Sequence, residues 1–320
     1  MLSRRGFLTG STASAVASLS AGCLNAKKGT ATLDPNRVVV ISDIHIPLPW
    51  SEQQYRTGRE YPWIVDTVKD EVAEILALDP LPANIISLGD MSIAFGEEKE
   101  YAILRELLQP LYDRGIAVTL GMGNHDIRAS FAKSFPSDAK KSLVPGRYVY
   151  RVETPQVDFI VLDSLKEPTE RGSYKAVEGY GLGKAQLDWF ERTLGELKKP
   201  TFVCAHHHVD QTERGLRKKV IMNPHVVGYL HGHHHHWQTD SLISGWSDNA
   251  RVMRSVGIGS FGIDRDVGYA IIDMTPEAAT LKIIARDYYF PVKKPQAERP
   301  PLWDELVRDH LGRKVVFPLR

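Results

Sequence analysis

Short apolar runs rich in β-branched residues alternate with amphipathic segments in the first half of the chain. Residues 37–41, 85–88 and 116–120 each predict a buried strand, because apolar residues dominate them. Between these runs, residues 62–78 and 101–111 place apolar side chains three and four positions apart, which predicts two helices with one apolar face each. Strands that alternate with helices are typical of an α/β domain.

After residue 145 the pattern changes to shorter, more closely spaced strands. Residues 148–152 and 157–162 predict a strand pair around a turn that contains Pro155, and residues 187–197 predict a third helix. Further strands are predicted at residues 201–205, 226–230, 251–256, 268–274 and 279–288. The last three of these are expected to be antiparallel closing strands. Since no internal repeat is evident, one domain with a two-part sheet system is the simplest interpretation.

The flanks of this domain differ from it in composition. Residues 1–26 are assigned to an export signal, and the polar residues 27–36 predict a linker. Residues 37–290 hold the domain. Proline and charged residues are frequent over residues 291–320, which predicts a C-terminal tail that packs on the surface.

The N-terminal segment has the features of an export signal. The sequence SRRGFL at residues 3–8 resembles the twin-arginine motif, and a mild apolar stretch over residues 8–21 follows it. That stretch is too short and too weakly apolar to span a membrane. We therefore expect export by the twin-arginine pathway to the periplasm or another extracytoplasmic location. Two outcomes stay open: lipidation of Cys23, the one way in which we expect membrane contact, or cleavage near Ala21 or Ala26.

Composition and charge exclude several classes of partner. The chain has 320 residues, of which 42% are hydrophobic and 25% charged, as in ordinary globular proteins. Its 40 basic and 39 acidic side chains give a formal charge of +1, so the basic excess that binds nucleic-acid phosphates is missing. We expect no nucleic acid partner, whereas a small phosphate ester remains a candidate substrate. Because Cys23 lies in the signal and Cys204 is the other cysteine, no intramolecular disulfide framework is expected.

Residues of metal-binding type stand directly after several predicted strands. They are Asp43, Asp90, Asn124, His206 and His233. In α/β sheets, ligand sites form at the carboxyl ends of strands, so residues far apart in the sequence can meet in one crevice. Carboxylate, imidazole and amide groups without a thiolate suit iron, manganese or zinc and argue against a structural zinc site.

Five motifs in this order resemble those of the calcineurin-like metallophosphoesterase superfamily. The motifs are Asp43-x-His45, Gly89-Asp90, Gly123-Asn124-His125-Asp126, His206 and Gly232-His233-x-His235. Residues 161–164 and the segment 183–194, with Gln186 and Trp189, are similar to the branch that contains class III cyclic-nucleotide phosphodiesterases. The resemblance covers about residues 37–290. It implies a four-layer α/β/β/α sandwich of two mixed sheets flanked by helices, with the metal site at the carboxyl ends of the strands.

The resemblance also implies binuclear metal-dependent hydrolysis of a phosphomonoester or phosphodiester. It assigns one ion, of iron, manganese or zinc, to Asp43, His45 and His235. It assigns a second ion to Asn124, His206 and His233, with Asp90 bridging both. The ions would lie roughly 3.5–4 Å apart and hold a hydroxide that attacks phosphorus.

Three further residues near the third motif have open roles. The resemblance places His125 beside the leaving oxygen, as a proton donor or as a cation over the phosphate. Asp126 is expected either to orient His125 or to cap the following helix. Arg128 is expected either to contact the substrate phosphate or to lie exposed on that helix. Glycine precedes three of the ligands, at positions 89, 123 and 232, and would let the backbone turn tightly towards the metals.

Nine histidines crowd into residues 206–236. His206 is preferred over His207 and His208 because it comes first after its strand, and a one-residue slip would turn the side chain to the other face. The remaining histidines are expected to line the cleft, to orient ligands or to have no role. The crowding also motivates an alternative function, an exported histidine-rich metal-binding protein on the same fold without catalysis.

A protein phosphatase is disfavoured. The phosphoprotein phosphatases of this superfamily extend the second motif to Gly-Asp-x-x-Asp-Arg-Gly. Here Gly89-Asp90 continues as Met-Ser-Ile-Ala-Phe instead.

Overall fold

A computed structural model describes the chain from residue 32 almost to its end. The described residues are 32–49, 52, 61, 63–93, 96–166, 180–213, 215–244, 250–262, 266–286, 310 and 312–319. The predicted export signal of residues 1–26, with Cys23, lies outside them. Of the helices that are described, none has both the length and the apolar character needed to cross a bilayer.

Twelve strands and seven helices are used below as landmarks. The strands are β1 (Leu33–Ile41), β2 (Leu81–Ser87), β3 (Ala117–Leu120), β4 (Tyr150–Glu153), β5 (Asp158–Val161), β6 (Thr201–Cys204), β7 (Val226–His231), β8 (Gln238–Ser244), β9 (Arg251–Gly257), β10 (Gly268–Met274), β11 (Ala278–Ala285) and β12 (Lys314–Pro318). The helices are α1 (Ile64–Leu76), α2 (Glu98–Asp113), α3 (Arg128–Ser134), α4 (Pro136–Ala139), α5 (Gly183–Glu196), α6 (Val209–Thr212) and α7 (Leu216–Met222).

The strands form two mixed sheets. The first has the order β12-β11-β10-β1-β2-β3, in which β1, β2 and β3 are parallel and β10, β11 and β12 pair antiparallel. The second has the order β4-β5-β6-β7-β9-β8, with parallel pairing from β5 to β9 and antiparallel edge strands β4 and β8. Parallel strands therefore end at one edge of each sheet, where residues just after β1, β2, β3, β6 and β7 can meet.

Alternation along the strands sorts the apolar side chains into three buried layers. In β1, Val38 and Val40 belong to a core between the two sheets, where they share a cluster with Phe202 of β6. Val39 and Ile41 belong to the opposite layer, which holds apolar residues of α1 and α2. A third layer lies between the second sheet and α5 to α7. Because successive strand residues face opposite sides, this period of two covers both sheet faces. The predicted four-layer α/β/β/α sandwich is confirmed.

Three parts of the sequence prediction are wrong in detail. β1 begins at Leu33, inside the predicted linker, and continues its pairing with β2 there. Of the three predicted antiparallel closing strands, the one at residues 251–256 forms β9, which pairs antiparallel with β8 but parallel with β7. The C-terminal tail does not simply lie on the surface, because β12 pairs with β11 and buries Val315 and Phe317.

Strand β8 was not predicted at all. Its sequence QTDSLIS is mostly polar, and Leu242 is its one buried side chain. Such a pattern is common at a sheet edge, where one side of the strand faces solvent and polar residues are tolerated. The strand could therefore not be recognised from apolar runs alone.

Candidate metal centre

Backbone hydrogen bonds hold the loops that follow β1 and β2 side by side. The amide of Asp43 donates to the carbonyl of Gly89 over 3.0 Å, and the amide of His45 donates to that of Asp90 over 2.9 Å. Across the second sheet, the amide of Gly232 donates to the carbonyl of His206 over 3.0 Å. The loops thus continue the strand pairing past the sheet edge, and they bring the predicted ligands towards one crevice.

The glycines of the motifs are required by close packing. A Cβ atom at Gly89 would lie 2.5 Å from the backbone nitrogen of Gly123, and the φ angle of Gly89 is +126°. A Cβ at Gly123 would lie 2.7 Å from the carboxyl carbon of Asp90, and one at Gly232 would lie 2.5 Å from Asp43 Oδ2. The predicted close approach of backbone at these glycines is confirmed, since real Cβ atoms avoid such distances.

Five of the predicted ligands have left-handed backbone. They are Asp43 (φ 51°), His45 (53°), Asp90 (53°), His233 (72°) and His235 (55°). Within the described part of the chain, they are the only residues other than glycine with positive φ. Each such residue costs on the order of 1–3 kcal/mol, and this kind of strain concentrates at functional sites.

The first predicted ligand group converges. His45 Nε2 lies 3.1 Å from His235 Nε2, and His235 Nε2 lies 3.2 Å from Asp43 Oδ1. The other ring nitrogen of His45, Nδ1, donates to the carbonyl of Ser92 over 3.2 Å, which leaves the lone pair of Nε2 facing the crevice. Two imidazole nitrogens and a carboxylate oxygen that face one point fit a cation.

The second group converges on the same crevice. His206 Nε2 lies 3.0 Å from Asn124 Oδ1, and the rings of His206 and His233 are 5.2 Å apart. The amide of His233 donates to Asp43 Oδ2 over 3.0 Å, so the two groups are joined through backbone as well. Asn124 and His206 are buried, whereas His233 is partly exposed at the opening.

Asp90 stands between the groups, as a bridging ligand must. Its Oδ2 lies 3.1 Å from His206 Nε2 and 3.6 Å from His45 Nε2, and its Oδ1 accepts a hydrogen bond from the amide of His125 over 2.8 Å. The structure therefore brings all seven predicted ligands together. Carboxylates, imidazoles and an amide oxygen make a donor set that suits two ions of iron, manganese or zinc.

The electrostatics of the crevice favour bound cations. Burial alone would raise the pKa values of Asp43 and Asp90. The nearby His235 and His206 outweigh burial at Asp43 and hold its pKa well below the usual range. The nearby His206 and His125 likewise hold the pKa of Asp90 below its usual range. Both carboxylates are therefore anionic in a buried site, a charge that positive partners must offset.

His125 lies at the mouth of the crevice. Its Nδ1 donates to the carbonyl of Ile93 over 2.6 Å, and its Nε2 lies 4.0 Å from Asp90 Oδ2. Burial lowers the pKa of His125, although the charge of Asp90 opposes this effect. Its side chain is 22% exposed, so Nε2 can reach a substrate oxygen that enters from solvent. Both predicted roles of His125, as a proton donor or as a cation over the phosphate, stay predictions.

Asp126 has a different role from the two that were predicted. Its carboxylate accepts hydrogen bonds from the amides of Met91 (3.1 Å) and Gly123 (2.9 Å) and from the hydroxyl of Tyr101 (3.0 Å). Helix α3 instead begins after Ile127, without a side-chain cap. Asp126 thus ties together the loops after β2 and β3, and its assignment as a catalytic residue is corrected to that of a positioning residue.

Arg128 also differs from both expectations. Its guanidinium makes two hydrogen bonds to the buried carboxylate of Asp163, of 2.7 and 2.8 Å, and a third to the carbonyl of Leu165. It is therefore neither exposed nor directed at a substrate phosphate. The pair joins α3 to the loop after β5.

His207 was not predicted as a site residue, yet it lies beside the second ligand group. Its Nδ1 is 2.8 Å from Ser164 Oγ, and its buried Nε2 has no hydrogen-bond partner in the described part of the chain. Its ring is 4.8 Å from that of His233, and one nitrogen from each of these two residues and from His206 together form a group that could hold a metal. The doublet His206–His207 after β6 was the one sequence signal for it.

The fold and the donor set of this site are typical of one family of phosphoesterases. The chain belongs to the calcineurin-like phosphoesterase family, whose model matches residues 36–237. It is 35% identical over 152 residues to a probable cyclic nucleotide phosphodiesterase of Rhodopseudomonas palustris. That match covers 46% of this chain and 49% of the relative, so it spans about half the length of each.

A solved structure supports the fold. The chain is similar to a dimetal phosphatase from Danio rerio, with a TM-score of 0.58 over 90% of this chain and 100% of that one. The two sequences are 14% identical, so the likeness concerns the fold alone.

Proposed function

We propose that this protein hydrolyses a small phosphodiester at a pair of metal ions. The observation that carries the proposal is the convergence of seven side chains from five loops, with Asp90 between the other six and His125 at the opening. The similarity to a probable cyclic nucleotide phosphodiesterase supports the choice of a diester. The pairing of Arg128 with Asp163 also supports a diester, because this arginine is then not available to a substrate phosphate. A monoester dianion carries more negative charge than a diester and would need more cationic groups to balance it.

Each residue has a defined task in this proposal. Asp43, His45 and His235 would hold one ion. Asn124, His206 and His233 would hold the other, and Asp90 would contact both. When bound, the metal pair supplies Lewis acidity at phosphorus and lowers the pKa of a water that serves as the nucleophile. His125 Nε2 donates a proton to the leaving oxygen, while the hydrogen bond from its Nδ1 to the carbonyl of Ile93 fixes the ring.

Turnover of two model substrates tests the proposal. Purified protein with added manganese, iron or zinc should hydrolyse bis(p-nitrophenyl) phosphate faster than p-nitrophenyl phosphate, and 3′,5′-cyclic nucleotides belong in the same panel. A protein shown to bind two metal ions that hydrolyses none of these esters would refute it. Faster turnover of the monoester would retain the phosphoesterase but reject the diester.

Replacement of His125 by alanine tests the proton-transfer role. We expect kcat to fall by about 10²–10⁴-fold, as for loss of a general acid, while metal content stays unchanged. His225→Ala is the matched control, because His225 lies outside the predicted ligands and is partly exposed. Equal activity of the two variants would show that His125 transfers no proton in the rate-limiting step.

A second candidate function is metal binding without catalysis. It is favoured by a group of possible ligands outside the seven, formed by His208, His231 and Asp240. More than two tightly bound ions together with no hydrolysis of any ester would support it. More than two ions together with hydrolysis would leave the enzymatic proposal in place.

A further inference from the structure

Three residues outside the binuclear centre form a second cluster of possible metal ligands. His208 follows β6, His231 is the last residue of β7, and Asp240 lies in β8. One ligand atom from each lies within 4.8 Å of the others. None of the three belongs to the seven predicted ligands.

His231 presents a buried nitrogen without a partner. Its side chain is 1% exposed, and its Nδ1 donates to the carbonyl of Gly232 over 3.1 Å. Its Nε2 has no hydrogen-bond partner in the described part of the chain, which is costly for a buried polar atom. A neutral imidazole with its proton on Nδ1 carries the lone pair on Nε2, and this is the form that binds a metal.

His208 is placed to be the second ligand. Its ring stands perpendicular to that of His231, with 4.9 Å between the centroids. Its Nδ1 accepts from the amide of Asp210 over 3.3 Å, so in this arrangement the ring proton lies on Nε2. A metal at Nε2 would move the ring proton to Nδ1. Asp210 Oδ2, which lies 3.7 Å from Nδ1, would have to move closer to accept that proton, as in the carboxylate–histidine pairs around metal sites.

A glycine lets Asp240 approach from two strands away. In the sheet, β9 lies between β7 and β8, so side chains on the outer two start about 9–10 Å apart. The residue of β9 that pairs with His231 is Gly257, and Ser255 pairs with Asp240. A Cβ atom at Gly257 would lie 3.2 Å from His231 Cε1. The His231 ring therefore lies over Gly257, in space that a side chain at this position would occupy, and so extends across β9 towards β8.

We propose that His208, His231 and Asp240 bind a third metal ion of the zinc class. Two imidazoles and one carboxylate are a common donor set for zinc, whose fourth position a water can fill. The ion would tie edge strand β8 to the loop after β6 and to the end of β7. These two loops carry His206 and His233, so the third ion braces ligands of the binuclear centre without contacting substrate.

Metal stoichiometry of the full chain tests the proposal independently of hydrolysis. The protein is stripped with a chelator, dialysed against zinc and analysed by mass spectrometry for zinc per chain. We expect three ions for the unaltered chain and two for both Asp240→Asn and His208→Gln. The controls Asp188→Asn and His225→Gln make the same chemical changes outside the cluster and should retain three. Saturation of the unaltered chain at two ions would overturn the proposal, as would three ions in both cluster variants.

A second background separates this site from the binuclear centre. An Asp90→Asn chain lacks the bridging carboxylate, so its binuclear centre is expected to bind fewer ions than that of the unaltered chain. Adding Asp240→Asn to that chain should remove one more ion and lower the melting temperature in zinc, whereas adding Asp188→Asn should do neither. If the two double variants do not differ, the third site is rejected, even if the unaltered chain hydrolyses phosphate esters. A site that survives without any hydrolysis would instead reject the proposed function alone.

Discussion

Gly232 packs against the loop that carries Asp43, and the substitution Gly232→Ala tests whether that contact sets the metal geometry. The new Cβ would lie 2.5 Å from Asp43 Oδ2 and would also overlap Ser42 Oγ. An ordinary contact needs at least 3.4 Å, so the Asp43 carboxylate or its loop must move by roughly 1 Å. That shift would also disturb the hydrogen bond from the amide of His233 to Asp43, which is 3.0 Å long.

The magnitude follows from how little a metal site tolerates. Metal–ligand distances hold within about 0.2 Å, so a displacement of roughly 1 Å removes Asp43 as a ligand. We expect loss of tightly bound metal and a fall in kcat/KM of about 100-fold or more. Overpacking of a buried site should also cost about 1–3 kcal/mol of stability.

The assay compares Gly232→Ala with Gly195→Ala in activity, zinc content and melting temperature. Gly195 lies in α5, and a Cβ there would meet nothing within 4 Å. Alanine in a helix is favoured over glycine by about 1 kcal/mol, so this control should be active and slightly more stable. Because Ser42 Oγ has no hydrogen-bond partner among the described residues, Ser42→Ala should be tolerated and should partly restore Gly232→Ala. Full activity of Gly232→Ala would refute the steric reasoning.

Three further predictions concern other parts of the chain. Glu71 of α1 is fully buried, and burial raises its pKa well above the usual value, although Arg286 opposes this. A carboxyl group with a raised pKa makes the protein less stable as the pH rises above about 4.5. Glu71→Gln should therefore raise the free energy of unfolding by more than about 1 kcal/mol at pH 8 but by little at pH 4. Equal gains at both pH values in thermal unfolding would contradict this. Asp126→Ala leaves four buried donors without their acceptor, so we expect a loss of about 2–4 kcal/mol in denaturant unfolding together with weaker metal binding. An effect on kcat alone would contradict a positioning role. Replacement of Arg4 and Arg5 by lysine should retain the protein in the cytoplasm in a cell-fractionation blot, and unchanged export would reject the twin-arginine signal.

The sequence was sufficient for the ligands because their motifs carry position as well as residue type. Asp43, Asp90 and His206 each follow an apolar run that the structure confirms as a strand, so their meeting at one edge followed from sheet geometry. The glycines marked the close contacts between loops. Residue type and strand position together were thus enough to predict which side chains converge.

What could not be predicted depends on contacts across strands and loops. Asp126 follows His125 in the motif, yet its partners are amides of two loops that only the fold brings together. β8 has too polar a sequence to be recognised as a strand, so Asp240 could not be placed near His231. The position of the His231 ring over β9 depends on Gly257, whose significance appears only when the register of three strands is known.

The two short metal motifs use one backbone device in different sheets. In Asp43-x-His45 after β1 and His233-x-His235 after β7, the first and third residues are both left-handed. The middle residues point elsewhere: Ile44 is buried in the apolar layer beneath α1, and the ring of His234 lies 6.0 Å from that of His231. Left-handed backbone is unfavourable for these residues, so hydrogen bonds such as those from Asp43 and His45 to the neighbouring loop must hold it. The chain's own backbone contacts therefore contribute to the ligand geometry in both motifs.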